Sequence, residues 1–243
     1  MLRFPPLLFC SLLLSSCGSP PVSGNPIAQE EFSQQREQMV ETQLKSRDIQ
    51  NELVLEAMRK VPRHLFMPAP VRQYAYIDSP VPIGEEQTIS QPYIVGLMTQ
   101  TVDPKPGDRA LEVGTGSGYQ AAVLGELVQE VYTIEIIPVL AERAGKTLYE
   151  LGYDNVEVRQ GDGYQGWPEK APFDIILVTA APEIIPQPLI DQLAEGGRLV
   201  VPVGPQGEIQ TLTLVTKEKG EVQRTHITGV RFVPMTGEVQ QLR

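Results

Sequence analysis

Leu111-Glu-Val-Gly-Thr-Gly-Ser-Gly-Tyr119 is the stretch of sequence that decides the fold. Its first residues are typical of the end of a strand, and the apolar residues that run from Tyr119 to Leu127 predict a helix packed on that strand. Gly114, Gly116 and Gly118 lie between them and predict a turn without side-chain bulk. A strand, a glycine turn and a helix N-terminus together let the backbone approach a ligand closely and present N–H groups to it.

Strands and helices alternate on both sides of this stretch. The predicted strands lie at residues 110–113, 131–136, 156–159, 174–179 and 198–203. This alternation predicts an α/β fold with a doubly wound, mainly parallel, Rossmann-like sheet. Two β-rich segments follow at 211–216 and 226–232, and the turn between them is too short for a crossover helix, so they are expected as antiparallel edge strands. Helical patterns over residues 27–60 predict an N-terminal helical cover, with Asn51 capping its second helix.

Composition excludes several classes of function. The chain has 243 residues and a net charge of −10, which is unfavourable for binding to nucleic acid because that binding depends on Lys and Arg against phosphate. No run of apolar residues is long enough for a membrane span. Both cysteines, Cys10 and Cys17, lie in the first 17 residues, so the rest of the chain has neither a Cys-based metal site nor a thiol nucleophile.

Residues 1–17 are interpreted as a leader rather than as part of the fold. One charge, Arg3, precedes a short apolar run, as in a secretory signal peptide. Leu14-Ser-Ser-Cys17 also resembles the bacterial lipobox, which predicts lipidation of Cys17 and a membrane-anchored protein facing the periplasm or the cell exterior. The alternative is that the leader is not functional and that the protein is cytoplasmic. Residues 18–26, rich in Gly, Ser and Pro, predict a flexible tether to a main domain at 27–243.

Two carboxylates follow predicted strands of the same sheet. Glu135 lies 21 residues beyond Gly114, at the end of the second strand, where an acidic side chain can accept hydrogen bonds from both ribose hydroxyls. Asp162 lies in Gly161-Asp-Gly163 after the third strand and can accept a hydrogen bond from an adenine amino group. For each carboxylate, a turn or helix cap is the alternative role. With the glycine turn, they predict a nucleoside site at the carboxyl edge of the sheet.

The sequence also indicates which nucleoside cofactor fits. Tyr119 crowds the glycine turn and Glu112 precedes it, so a pyrophosphate fits poorly. A positively charged cofactor without phosphate suits an acidic pocket better, and S-adenosylmethionine is such a cofactor.

A polar stretch and the two histidines of the chain are further candidates for a functional role. Residues 82–93 form a polar stretch that leads into an apolar helix, a favourable place for binding groups, although Ser90 can instead simply cap that helix. His64 and His226 are the only histidines, and we interpret both as structural rather than as a general base.

At this point the sequence resembles a known family. Segments 111–124, 131–136, 161–168, 173–182 and 196–204 resemble the successive motifs of class I S-adenosylmethionine-dependent methyltransferases. Within that class, Thr88-Ile-Ser-Gln-Pro-Tyr93 and Val230-Arg-Phe-Val-Pro-Met-Thr236 resemble the protein-L-isoaspartate O-methyltransferase family. The resemblance covers roughly residues 30–243. The glycine motif identifies only the superfamily, whereas the Thr-Ile-Ser-Gln-Pro block is much more specific.

The resemblance implies a role for each matching position. Ser90 matches the active-site serine, and Thr236 matches a threonine that closes the site from the C-terminal segment. Val95 stands where vertebrate members have histidine, so no second ionisable group is implied. The remaining matches imply contacts with the cofactor: Gln87, Thr88 and Ile89 in the loop over it, Glu112 and Gly114 near its methionine part, Gly116 in the glycine turn, Glu135 at the ribose, and Asp162 with Gly163 at the adenine.

The activity implied by the resemblance is methylation of the α-carboxylate of L-isoaspartyl and D-aspartyl residues in damaged proteins. The ester then cyclises to a succinimide, which begins repair. A carboxylate with a pKa near 4 is already ionised at neutral pH, so no general base is needed. The family implies a monomer without a metal, acting on isoaspartyl-containing proteins and peptides.

Two alternatives are left open. One is a class I methyltransferase that acts on a small molecule, which has no reason to carry residues 88–93. The other is a non-catalytic, anchored protein that binds S-adenosylmethionine.

Overall fold

The computed structural model describes Met1 and residues 26–242. Residues 2–25 lie outside the described residues, so the predictions of the leader, of most of the tether and of lipidation at Cys17 stay predictions. Within the described part of the chain, no helix combines the length and the apolar composition needed to cross a bilayer.

A seven-stranded sheet forms the centre of the molecule. A small antiparallel hairpin precedes it, made of β1 (Val81–Gly84) and β2 (Gln87–Ile89). The strands of the central sheet are β3 (Arg109–Val113), β4 (Glu130–Glu135), β5 (Val156–Gln160), β6 (Phe173–Val178), β7 (Leu193–Val203), β8 (Gln210–Glu218) and β9 (Glu221–Val230). Their order is β5-β4-β3-β6-β7-β8-β9, parallel as far as β7 and antiparallel for β8 and β9. The predicted sheet, including its antiparallel edge, is confirmed.

Six α-helices surround the sheet in the described residues. They are α1 (Pro26–Met39), α2 (Glu52–Lys60), α3 (Pro92–Thr101), α4 (Tyr119–Gly125), α5 (Pro138–Glu150) and α6 (Gln187–Asp191). A π-helical turn at Val40–Lys45 continues α1. The predicted cap of α2 is present, since Asn51 Oδ1 accepts the N–H groups of Leu53 and Val54 at 3.0 and 3.3 Å.

Buried residues cover both faces of the sheet, because successive strand residues point to opposite sides. Ile175 and Leu177 of β6 join the core formed with α2, α3, α4 and α5, whereas Ile176 and Val178 join the core formed with α6. Because β4, β3 and β6 are neighbouring parallel strands, their carboxyl ends lie together at one edge of the sheet, where the candidate site lies.

Residues 82–93 differ from the predicted polar loop. Most of the segment is the β1–β2 hairpin, whose two turn residues Glu85 and Glu86 have φ of 51° and 55°. Each strand is too short for its alternation to be recognised in the sequence. The following helix, α3, begins at Pro92 with Gln91 in the N-cap position, so Ser90 does not cap it.

Candidate active site

The glycine turn after β3 has a left-handed backbone at each glycine, with φ of 100° at Gly114, 53° at Gly116 and 86° at Gly118. Its N–H groups are used within the protein, contrary to the expectation that they face a ligand. Gly114 and Thr115 both donate to the Ile134 carbonyl, at 2.8 and 3.2 Å, and Gly118 donates to the Thr115 carbonyl at 2.8 Å. A turn whose donors already have acceptors is a poor phosphate cradle, which agrees with a cofactor that carries no phosphate.

Two glycines are required by close contacts. A Cβ at Gly114 would lie 2.4 Å from Thr179 Oγ1, the hydroxyl that donates to the Gly114 carbonyl at 2.5 Å. A Cβ at Gly163 would lie 2.4 Å from Val113 Cγ1. Neither position can therefore carry a side chain unless Thr179 or Val113 on the cleft wall moves.

Glu135 ends β4 and holds the glycine turn. One carboxylate oxygen accepts the Gly116 N–H at 2.7 Å, and the other accepts the Ile137 N–H at 2.9 Å, immediately before α5. The side chain is buried, yet it lines the cleft. Each oxygen retains a second lone pair, so the carboxylate can also accept hydrogen bonds from a ribose.

Glu112 is fully buried in β3, also on the cleft wall. Its Oε2 accepts the Thr133 hydroxyl at 2.5 Å, whereas its Oε1 has no hydrogen-bond partner. Burial raises the pKa of this carboxyl from 4.5 to about 8, the Thr133 hydrogen bond opposes the rise, and the nearby Glu135 charge adds to it. An unpartnered acceptor on a cleft wall favours a ligand that is cationic or donates a hydrogen bond.

Asp162 does not line the cleft. It caps the short 3₁₀ helix Gly163–Gln165 by accepting the Tyr164 N–H at 2.9 Å, and its other oxygen accepts the Glu238 N–H at 2.7 Å. Asp162 therefore has the capping role that the sequence left open as an alternative. Its carboxylate also binds the C-terminal segment through Glu238. An adenine contact by Asp162 stays a prediction.

One cleft contains the other predicted residues. Its volume is about 840 Å³, including its open mouth, within the usual range for small-molecule sites. The predicted residues on its wall are Gln87, Thr88, Ile89, Ser90, Glu112, Gly114, Gly116, Glu135, Gly163 and Thr236. The structure thus gathers residues from the β1–β2 hairpin and the residue after it, three strand ends and the C-terminal segment.

A second groove adjoins the cleft. Its volume is about 1220 Å³, and it shares Thr88, Ser90, Thr179 and Val233 with the first. Residues 229–233 form its far side, at the end of the edge strand β9. Ser90 therefore lies at the junction between a cofactor-sized cleft and an open groove.

His64 is packed, as the sequence analysis expected. Its ring stacks on Phe32 with centroids 4.1 Å apart, and its Nδ1 lies 2.7 Å from the Tyr76 hydroxyl. Burial, together with the nearby positive charges of Arg36 and Arg72, lowers its pKa from 6.5 to about 4. His64 is thus neutral at pH 7, and it does not line the cleft. The described residues contain no group of three side chains suited to hold a metal.

Sequence reasoning missed residues that support the cleft wall. Thr133 and Thr115, whose hydroxyls lie 2.6 Å apart, support Glu112. Arg63 donates to the Ser90 carbonyl at 2.7 Å. The only signal for Arg63 in the sequence is a cation among the apolar residues Val61, Pro62 and Leu65.

A mainly parallel Rossmann-like sheet whose glycine turn and strand-end carboxylates line one cleft defines the class I methyltransferase architecture. A sequence model of the protein-L-isoaspartate(D-aspartate) O-methyltransferase family matches residues 34–240. The chain therefore belongs to that family.

Individual relatives agree with this assignment. A protein-L-isoaspartate O-methyltransferase of Gloeobacter violaceus is 59% identical over 203 residues, which cover 84% of this chain and 99% of that protein. One of Opitutus terrae is 60% identical over 204 residues, covering 84% and 88%.

Solved structures are similar as well. One protein-L-isoaspartate O-methyltransferase superposes with a TM-score of 0.76 and 31% identity, covering 84% of this chain and 67% of that one. A Plasmodium falciparum structure described as the same enzyme, in complex with S-adenosyl-L-homocysteine, has a TM-score of 0.72 and 28% identity, covering 83% and 98%.

Proposed function

We propose that this chain transfers a methyl group from S-adenosylmethionine to the α-carboxylate of L-isoaspartyl and D-aspartyl residues, the first step in repair of damaged proteins. Its family membership over residues 34–240 supports the reaction. The observation that carries the proposal is the position of Ser90, where the cleft meets the adjoining groove. A site of this shape suits a small donor on one side and an extended peptide on the other.

The residues of the cleft fit S-adenosylmethionine. Glu112 Oε1 is a buried acceptor without a partner, which suits the amino group of the methionine part. The Glu135 carboxylate favours a cationic ligand, and a cation bound beside Glu112, which keeps its proton at neutral pH in the free protein, favours loss of that proton. When bound, S-adenosylmethionine supplies an electrophilic methyl group and leaves as S-adenosylhomocysteine.

The protein's part in the chemistry is to bind, to orient and to exclude water. The substrate carboxylate is ionised at neutral pH, so no side chain has to remove a proton. His64 contacts the Tyr76 hydroxyl and does not line the cleft, as expected for a reaction that needs no general base. Ser90 orients the α-carboxylate at the junction, and Thr236 closes the cleft from the C-terminal side. Catalysis then comes from alignment of the two reactants.

The test is methyl transfer from labelled S-adenosylmethionine, using the detergent-solubilised full chain. Two peptides of the same sequence are compared, one with L-isoaspartate and the other with normal aspartate. We expect label on the isoaspartyl peptide only. Transfer to neither peptide, with S-adenosylhomocysteine still bound, would support the small-molecule or non-catalytic alternative instead.

Ser90→Ala separates the role of the hydroxyl from that of the fold. We expect kcat to fall by about 10- to 100-fold, the range for losing one hydrogen bond to a charged group, with little change in S-adenosylhomocysteine affinity. Ser46→Ala, which lies in an exposed turn after the π-helical segment, is the matched control and should keep full activity. Unchanged turnover in Ser90→Ala would show that the Ser90 hydroxyl does not orient the substrate carboxylate.

The location of the protein is a second proposal. Arg3, the apolar run and Leu14-Ser-Ser-Cys17 support cleavage before Cys17, lipidation of that residue and attachment to a membrane facing the periplasm or exterior. Metabolic labelling with a radioactive fatty acid should mark the wild type and not Cys17→Ser. Absence of label from both, with the protein in the soluble cytoplasmic fraction, would support the cytoplasmic alternative. In an exported enzyme the methyl donor must also be supplied outside the cytoplasm.

The assembly state is a proposal as well. We propose a monomer that acts on isoaspartyl proteins and peptides, as the family resemblance implies, and the net charge of −10 is unfavourable for binding to nucleic acid. Sedimentation equilibrium in detergent should give the protomer mass, and a dimer mass would contradict the proposal.

A further inference from the structure

Arg63 is a fully buried arginine next to the hairpin that carries Ser90. It follows α2 in a short 3₁₀ helix, Arg63–Phe66, and none of its surface is exposed. Among the described residues, no carboxylate lies within ion-pair distance of its guanidinium. A buried charge without a counter-ion is costly, so its presence indicates a specific role.

Its hydrogen bonds go to two backbone carbonyls. Nε donates to the Ala75 carbonyl at 2.7 Å, and Nη2 donates to the Ser90 carbonyl at 2.7 Å. Arg63 thus connects the segment before the β1–β2 hairpin to the residue that follows it. Because both acceptors are neutral, these bonds leave the positive charge of Arg63 uncompensated.

Two further observations place this charge near the cleft. The guanidinium carbon lies 4.8 Å from the centroid of the Tyr119 ring, and Tyr119 itself lines the cleft at the start of α4. The remaining nitrogen, Nη1, is buried and has no hydrogen-bond partner. The guanidinium therefore contacts both the Ser90 segment and the helix that follows the glycine turn.

We propose that Arg63 is a positioning residue for methyl transfer, which fixes the Ser90 backbone and supplies positive potential at the end of the cleft where the substrate carboxylate binds. This inference rests on the proposed function. A neutral side chain could bridge two carbonyls at a lower desolvation cost, but it would not attract an anion. We expect its main effect on the acceptor substrate, because its bond to Ser90 lies where the cleft meets the groove.

The variants are chosen to separate position, charge and fold. Arg63→Met keeps the apolar stem and removes the charge and donors, whereas Arg63→Lys keeps the charge but cannot form the same pair of bonds. Arg109→Met is the matched control, because Arg109 also covers an aromatic ring, Tyr132, at 5.4 Å, but lies at the opposite end of β3. Each variant is measured in the full chain for kcat and KM with the isoaspartyl peptide, and for S-adenosylhomocysteine affinity.

We expect Arg63→Met to lower kcat/KM for the peptide by about 10- to 100-fold, the range for a lost charge-assisted hydrogen bond. Affinity for S-adenosylhomocysteine should stay within about threefold. Arg63→Lys should recover part of the loss, and Arg109→Met should resemble the wild type. Equal losses in peptide and cofactor parameters, or no loss, would overturn the proposal.

A double-mutant cycle with Ser90→Ala tests the connection to Ser90. If Arg63 acts by holding Ser90, then Arg63→Met should cost much less in the Ser90→Ala background than in the wild type. Fully multiplicative effects would show that the two residues act independently and would contradict the proposed positioning.

Hydrogen exchange provides a readout that does not depend on activity. We expect amides of residues 87–91 to exchange at least tenfold faster in Arg63→Met, while β3 and β4 keep their protection. If the wild type fails to methylate the isoaspartyl peptide, the proposed function fails, and faster exchange here still supports the Arg63 contact. If the wild type is active and exchange is unchanged, the inference about Arg63 alone is refuted.

Discussion

Glu112→Gln tests the charge state of the buried carboxyl at the end of β3. Burial raises its pKa from 4.5 to about 8. Between these values the folded protein keeps the Glu112 proton, whereas the unfolded chain releases it. The contribution of this group to stability is therefore complete below pH 4.5 and is lost as the pH rises through about 8.

The size of the effect follows from the pKa difference. Each pH unit in this window changes the free energy of unfolding by about 1.4 kcal/mol, so Glu112 alone lowers the stability of the ligand-free protein by about 4 kcal/mol between pH 5 and pH 8. For a domain of this size that corresponds to a fall in melting temperature of about 8–16 °C. Glutamine has no proton to lose, so its curve lacks this component.

The assay is thermal unfolding followed by circular dichroism at pH 5 to 8, without ligand. We compare the wild type, Glu112→Gln and, as a control, Glu142→Gln, which changes an exposed glutamate of α5. Glu112→Gln should gain about 8–16 °C relative to the wild type between the two ends of the range, and Glu142→Gln should run parallel to the wild type. Parallel curves for the wild type and Glu112→Gln would show that the buried carboxyl does not change its charge in this window, and the reasoning would be refuted.

Three other substitutions test the cleft, each by melting temperature and by calorimetric titration with S-adenosylhomocysteine. Gly114→Ala places a Cβ 2.4 Å from Thr179 Oγ1 at a φ of 100°, so we expect at least about tenfold weaker binding and a lower melting temperature, whereas Gly107→Ala, with no atom within 4 Å of the new Cβ, should change neither. Glu135→Gln weakens the hold on the glycine turn and removes the ribose acceptor charge, so binding should weaken by about 10- to 100-fold. Asp162→Asn should lower the melting temperature by roughly 2–6 °C, because both oxygens of Asp162 accept backbone N–H groups. It should weaken binding less than Glu135→Gln does. A larger effect on binding than that of Glu135→Gln would favour the adenine contact.

Local patterns predicted the centre of this fold well. The strand before Gly114, the glycine turn and Glu135 are close in sequence, and their arrangement follows from strand and helix periodicity. The antiparallel edge was predictable because the turn between β8 and β9 leaves no room for a crossover helix.

Contacts between distant parts of the chain were not predictable in this way. Arg63 and Ser90 are 27 residues apart, and Asp162 and Glu238 are 76 apart, so no local pattern records either bond. The β1–β2 hairpin cannot be recognised from the sequence for a different reason. Its two strands have four and three residues, and the first contains Pro82. Strands this short do not show an alternating pattern that distinguishes them from a polar loop.

Two ionisable side chains with an unpartnered polar atom suggest how the protein distinguishes its two substrates. Methyl transfer brings a sulfonium cation and a carboxylate anion together and leaves neutral products, so binding must attract ions of opposite sign to neighbouring places. Glu112 Oε1, on the cleft wall, lacks a partner on the side proposed for the donor, and Arg63 Nη1, behind the Ser90 segment, lacks one on the side proposed for the acceptor. The charge of Arg63 is fully buried, so it is less screened by water than a surface charge, whereas Glu112, protonated in the free protein at neutral pH, becomes charged when a cation binds beside it. A carboxyl group near the donor and a guanidinium near the acceptor explain how a site without a general base can still select and orient both reactants.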